Sequence, residues 1–283
     1  MRKLASVVAI GLALAVAACG GDDEQTRSPG PQLDAGPVHV HGLGVNPTDG
    51  SLVIATHTGL FRAAEGEERA SRVGDRHQDT MGFTVVGPDH FLGSGHPDLR
   101  ENLPPLLGLI ESRDAGATWR AVSLLGEADF HVLEAAGDRV YGFDASGARL
   151  VFSRDGGERW AERSAPEPLV SLAIHPDDAR RVVASGEGAL YASHDEGRRW
   201  QRVARAGGLL AWPTRSRTYL IDPDGSVNRS LDGGKSWRRV GEVGGRPAAF
   251  ESEGPSDLYA ALHDGTVKRS TDGGESWSVR SRP

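Results

Sequence analysis

The chain has 283 residues, with 32 Lys and Arg against 39 Asp and Glu, a formal charge of −7, ten histidines and one cysteine. A single cysteine excludes an internal disulfide and any thiolate metal cluster, so the core must be held by packing alone. The acidic balance argues against nucleic acid and anionic headgroups as partners. Beyond Ala18 no stretch is apolar for long enough to cross a bilayer as a helix.

In chain order, Arg2 and Lys3 precede an apolar run from Leu4 to Ala18, the length of a signal-peptide core. The run ends in Val16-Ala17-Ala18-Cys19, which resembles the bacterial lipobox. That resemblance implies that residues 1–18 are removed. It also implies that Cys19 carries a lipid anchoring the protein to a membrane outside the cytoplasm. Loss of Arg2 and Lys3 would take the charge from −7 to about −9. Residues 19–36 hold the polar, Gly- and Pro-rich tract GGDDEQTRSPGPQLDAG, which cannot bury enough surface to order itself and reads as a tether. Residues 37–283 are expected to form one domain and to act as a monomer.

Self-similarity dominates that domain. Ser-x-Asp-x-Gly-x-x-Trp occurs five times, beginning at Ser112, Ser153, Ser193, Ser230 and Ser270, with spacings of 41, 40, 37 and 40 residues. The pattern resembles the Asp-box, or BNR repeat, of sialidases, sortilin-type receptors and many bacterial propellers. Asp-Gly and Gly-Gly supply the positive φ that a hairpin turn needs, Ser and Asp can bond the turn's own backbone, and Trp is a large apolar plug. Asp114, Trp119, Asp155, Trp160, Asp195, Trp200, Asp232, Trp237, Asp272 and Trp277 are therefore read as structural. Four short strands recur around each box, and a degenerate copy opens the domain at Leu60-Phe61-Arg62. The expectation is an all-β propeller of six four-stranded blades, with seven the less favoured count.

The sialidase likeness does not extend to chemistry. Sialidases carry Arg-Ile-Pro ahead of the first box, where this chain has Phe61-Arg62-Ala63. Tyr141, Tyr219 and Tyr259 recur at one position of three blades among apolar neighbours, which suits packing better than a nucleophile. The carboxylates left for a hydrolase are Asp79, Glu127 and Asp129.

Seven of the ten histidines precede residue 132, several of them in strings the later blades lack: HVHGLG from His39, THTGLF from Thr56, RHQDTMGF from Arg76, GSGHPD from Gly93 and ADFHVL from Ala128. Together these strings resemble a group of bacterial Asp-box lipoproteins labelled glycosylhydrolase or exo-alpha-sialidase-like, a label that reflects the box. With inner strands lining a channel, His39 and His41 should share a face, and His131 should stand on a nearby inner strand. His39, His41 and His131 are expected within one ligand shell, completed from His57, His77, Asp79 and His96. Imidazole with carboxylate and the Met81 thioether suits copper or zinc. Three functions follow. The favoured one is a non-catalytic extracytoplasmic protein binding a metal or small ligand; the alternatives are a glycoside hydrolase and a scaffold holding another protein.

Overall fold

The structure, a computed structural model, describes residues 36–283. The leader, Cys19 and the tether up to residue 35 lie outside the described residues. Six four-stranded antiparallel sheets follow one another along the chain, each built from consecutive strands. They form a ring, a six-bladed propeller whose inner strands are Val40–Val45, Asp79–Gly87, Phe130–Ala136, Ser171–Ile174, Leu209–Thr214 and Pro247–Ser252. The described residues contain no helix.

Each of the five boxes closes the hairpin between the third and fourth strands of its blade in the same way. In blade three, Ser153 Oγ donates to Asp155 Oδ1 at 2.8 Å and accepts the Gly157 N–H at 2.9 Å. Asp155 Oδ1 then accepts the Arg159 N–H at 2.9 Å. Gly156 and Gly157 take φ values of 71° and 91°, the left-handed region that a side chain resists. The other boxes repeat the serine bond to the glycine N–H at 2.8–2.9 Å.

Burial is organised by seam. Six apolar clusters each join two neighbouring blades, and the box Trp of blades two to six packs into the seam with the preceding blade. Trp160, for instance, meets Leu92, Leu109 and Phe130 between blades two and three. The sixth seam, between blades six and one, has no box Trp because blade one's copy is degenerate. Val40, Leu43, Phe61, Tyr259 and Val267 fill it.

The ring closes without a shared strand. Arg280, on the last strand, donates to the carbonyls of Ala63, Ala64 and Glu67, in the loop where blade one lacks a box. Arg282 pairs with Glu68, and its N–H bonds the Glu68 carbonyl at 2.7 Å. A cation thus stitches the backbone where the Trp plug is missing.

The recurrent tyrosines are packing residues. Tyr141 and Tyr219 are fully buried, and their hydroxyls donate to the carbonyls of Ala179 at 2.6 Å and Pro255 at 3.0 Å. Burial pushes the Tyr141 hydroxyl well above its ordinary range, the reverse of what a nucleophile requires.

Candidate functional site

A central cavity of about 450 Å³ runs along the ring axis. The inner strands do not present one face to it. Val132 packs into the seam with blade four and Leu133 into the seam with blade two, so the two faces of an inner strand look at the two neighbouring blades. Period-two alternation therefore selects a seam and does not select the channel, which corrects the reasoning that put His39 and His41 on one strand face. His39 lies before the strand, with φ 52°, and reaches the mouth from the entering loop.

Bulges select the channel instead. Val40 pairs with Thr56 while Gly42 pairs with Ala55, leaving His41 as an extra residue. Met81 is extra between Thr80 and Gly82, His131 between Phe130 and Val132, and Ala248 between Pro247 and Ala249. Blades four and five pair without a bulge there, and their Ser171 and Leu209 occupy the equivalent place. All six residues line the cavity as one ring. A bulge turns its side chain away from the pleat, which is why it recurs beside sites. Half of this ring is His, Met, His and the other half Ser, Leu, Ala.

The strings HVHGLG and MGF also acquire a steric meaning. A Cβ on Gly42 would sit 2.9 Å from Phe83 Cβ, and one on Gly82 would sit 2.4 Å from the Phe130 carbonyl oxygen. The glycines after the first two of these bulges let the inner strands of blades one, two and three approach closely.

Two groups form at the mouth. In the first, His57 Nδ1 lies 2.9 Å from Asp79 Oδ2, and His41 Nε2 lies 3.8 Å from Asp79 Oδ1. One ligand atom from each of the three falls within 4.8 Å of the others. His41 Nε2 and Asp79 Oδ1 are buried without a hydrogen-bond partner. Burial, then the neighbouring His57, His131 and His39 rings, lowers the His41 pKa to about 4, so its imidazole is neutral at physiological pH. Burial raises the Asp79 carboxyl, and Asp129 raises it further. His39 stands with its ring 6.2 Å from that of His57.

In the second group Asp129 is the carboxylate. His131 Nε2 donates to Asp129 Oδ2 at 2.8 Å, and His96 Nε2 lies 3.7 Å from the same oxygen. The bond to Asp129 raises the His131 pKa. Asp129 is held in turn, its N–H donating to Asp144 Oδ1 at 3.0 Å.

Of the residues expected to converge, His39, His41, His57, Asp79, His96 and His131 meet at the mouth with Asp129. His77 does not join them. Its backbone N–H donates to Asp98 Oδ2 at 2.8 Å, and this use of the chain rather than the ring makes it part of a loop anchor. Glu127 is an exposed turn residue whose N–H bonds the Leu124 carbonyl. Three charged residues that the sequence does not single out, Glu134, Arg246 and Glu251, also line the cavity, as does His263, whose LHDG string reads as an ordinary turn. Their strings have no unusual composition; only the equivalence of Glu134 and Glu251, each three residues beyond a bulge, sets them apart.

No protein-family model and no curated protein matches the chain. Solved structures do. A structure of YCF48 bound to D1 peptide is similar at a TM-score of 0.55 and 13% identity, covering 87% of this chain and 83% of that one. The GH74 xyloglucanase from Xanthomonas campestris is similar at 0.56 and 18%, covering 86% of this chain and 45% of that one. YCF48 from Cyanidioschyzon merolae follows at 0.53 and 13%, with 87% and 85% covered. This chain thus spans less than half the length of the xyloglucanase. At such identities the shared property is the β-propeller fold.

Proposed function

We propose that this protein is a non-catalytic binding propeller, displayed outside the cytoplasm on a lipid at Cys19, whose channel mouth takes up a transition-metal ion. The observation that carries the reading is the His41, His57 and Asp79 group, three ligand atoms within 4.8 Å of one another. Two of the atoms, His41 Nε2 and Asp79 Oδ1, are buried with no partner. Such orphans cost on the order of 1–3 kcal/mol each unless something satisfies them. A cation satisfies both at once. Imidazole and carboxylate ligation suits zinc or copper, and the Met81 thioether in the same ring favours copper as the softer ion. Binding requires His57 Nδ1 to release the proton it now shares with Asp79, by moving it to Nε2 or to solvent.

The test is calorimetric titration of the purified chain with zinc and with copper. Binding is expected, and the double change His41→Ala with His57→Ala should abolish the tight phase. A chain that binds neither ion would end the reading. The anchor is tested separately, since Cys19→Ser should release the protein from the membrane fraction; continued membrane association would refute the lipid.

A second reading, a propeller that holds another protein, draws on two observations. The YCF48 neighbour was solved with a bound peptide, and Leu99, Leu103 and Leu125 stand exposed on the loops of blade two, Leu99 completely so. A photo-crosslinking residue at Leu99 should capture one defined partner in cells if this reading is right, and none if it is wrong.

A further inference from the structure

The inner strands begin at the histidine mouth and end on the opposite face of the ring. Each box joins the third strand of its blade to the fourth, so the boxes lie on that opposite face too. Between blades four and five this face holds a pocket of about 250 Å³. Its wall includes Trp212, the one tryptophan of the six that belongs to no box. Trp212 and Pro213 stand together opposite Thr218, in a bulge near the end of their inner strand, and Trp212 is only 7% exposed.

What this wall lacks is an acceptor. Trp212 Nε1 and Arg181 Nε are both buried without a hydrogen-bond partner. Neither atom can accept, since indole and guanidinium N–H groups only donate. The two side chains meet at one corner of the pocket. The guanidinium carbon of Arg181 lies 5.7 Å from the centre of the Trp212 ring. A Cβ on Gly233 would sit 3.7 Å from Trp212 Cζ2 and 3.8 Å from Arg181 Nη2, and Gly233, at φ 73°, carries none.

Charge narrows the class of partner. Arg181, Arg202 and Lys235 line the pocket, and among the described residues none of their side chains has an ion pair or a hydrogen bond. Carboxylates of the same loops are already engaged, Asp177 with Arg215, Asp178 with Arg180 and Asp195 with Arg199. Asp232, the acid of the wall, uses both oxygens on the Ser230 and Ser236 hydroxyls and on the N–H groups of Lys235 and Ser236. The defining residues of the fifth box thus serve its own turn, and its variable position, Lys235, is the one left over. Three cations against one carboxylate leave the wall at +2, in a chain whose formal charge is −7.

We propose that the pocket between blades four and five binds an oxyanion, the phosphate, sulfate or carboxylate group of a small ligand. The anion's oxygens accept from Arg181 and from the Trp212 indole, while Arg202 and Lys235, both exposed, bring positive charge to the rim. A cation is repelled by the same wall, and an apolar group leaves the two donors unpaired. The site shares no residue with the histidine mouth, so it stands whether or not the mouth takes a metal.

Calorimetric titration of the metal-free purified chain with sodium phosphate, sodium sulfate and sodium acetate, at constant ionic strength, distinguishes the three sources of the oxyanion. At least one should bind. Arg181→Gln and Trp212→Phe should each weaken it by about tenfold or more, the loss of one hydrogen bond to a charged group. Thermal melts check that both variants remain folded. Should Trp212→Phe fail to fold, Arg181→Gln and Lys235→Gln carry the test, because neither side chain has a bond to lose. Arg180→Gln, on the same loop but paired with Asp178, should bind as the unaltered chain does. Absence of binding by all three anions would overturn the site, as would an affinity untouched by Arg181→Gln. An equal fall in Arg181→Gln and Arg180→Gln would overturn it too, by showing attraction to net charge alone.

Discussion

Glu134 and Glu251 face each other across the channel. They stand on the inner strands of blades three and six, opposite one another in a six-membered ring, each three residues beyond a bulge. Burial pushes the Glu251 carboxyl up to about 7, and burial with the nearby Glu251 charge holds Glu134 well above the usual carboxylate range. Ser252 N–H, at 2.6 Å from Glu251 Oε1, offsets part of that cost.

The pair makes stability fall as pH rises. An unfolded glutamate titrates near 4.5, so between that value and about 7 the folded chain binds more protons than the unfolded one. Stability from this source is complete below 4.5 and is lost as pH climbs through 7. Glu251→Gln should reduce the dependence, leaving the part that Glu134 contributes through its own burial. Relative to the unaltered chain it should gain on the order of 1–3 kcal/mol at pH 8 and little at pH 4. Urea denaturation at the two pH values measures this, and an equal effect at both would refute the buried pair.

The boxes should carry stability and not binding. Asp232 accepts hydrogen bonds from the Ser230 hydroxyl, the N–H groups of Lys235 and Ser236, and the Ser236 hydroxyl, at 2.6–3.0 Å. Trp237 packs into the seam between blades four and five. Asp232→Ala or Trp237→Ala should each cost about 2–4 kcal/mol in denaturant unfolding. Zinc stoichiometry of the folded fraction should stay the same, and a selective loss of zinc would instead make the box a site.

What was legible in the chain follows from what repeats. The boxes recur because every blade needs the same hairpin, so blade count, strand order and the packing role of Tyr141 and Tyr219 could be read directly. The ring closure could not. It depends on Arg280 meeting the carbonyls of Ala63, Ala64 and Glu67 at the other end of the chain, and no local pattern announces such a contact. At the mouth, composition singles out histidines that the structure brings together, but strand alternation is not what brings them there. Alternation would aim His39 and His41 at the channel together, whereas a loop residue with positive φ and a bulge do so. His77 lies near Asp79 in sequence, but the bond it makes is through its backbone N–H to Asp98.

Gly82 tests whether close strand approach builds the mouth. Its missing Cβ would lie 2.4 Å from a backbone oxygen of blade three, and backbone cannot swing aside as a side chain can. Gly82→Ala should cost roughly 2 kcal/mol or more and weaken zinc binding, because its strand carries Asp79, the carboxylate of the His41, His57 and Asp79 group. Gly188→Ala, where a Cβ meets nothing within 4 Å, is the control and should change neither. Equal behaviour of the two variants in thermal unfolding and zinc calorimetry would show that the approach is not tight in solution.

Metal should also stabilise the fold, and the loss of that effect should separate His57 from His77. His41 and His57 belong to blade one and Asp79 to blade two, so an ion among them ties two blades together. A ligand that binds only the folded state at a hundred times its Kd contributes about 2.7 kcal/mol. In a domain of this size that is a rise of roughly 5–10 °C in Tm. His57→Ala removes a ligand atom from an exposed ring, so it should leave the metal-free Tm nearly unchanged and sharply reduce the rise. His77→Ala should preserve the rise in full, because only the backbone of His77 is engaged, at Asp98. Calorimetric melting with and without zinc, including a chelator reversal, distinguishes the two. A rise that survives His57→Ala and disappears with His77→Ala would place the ion elsewhere.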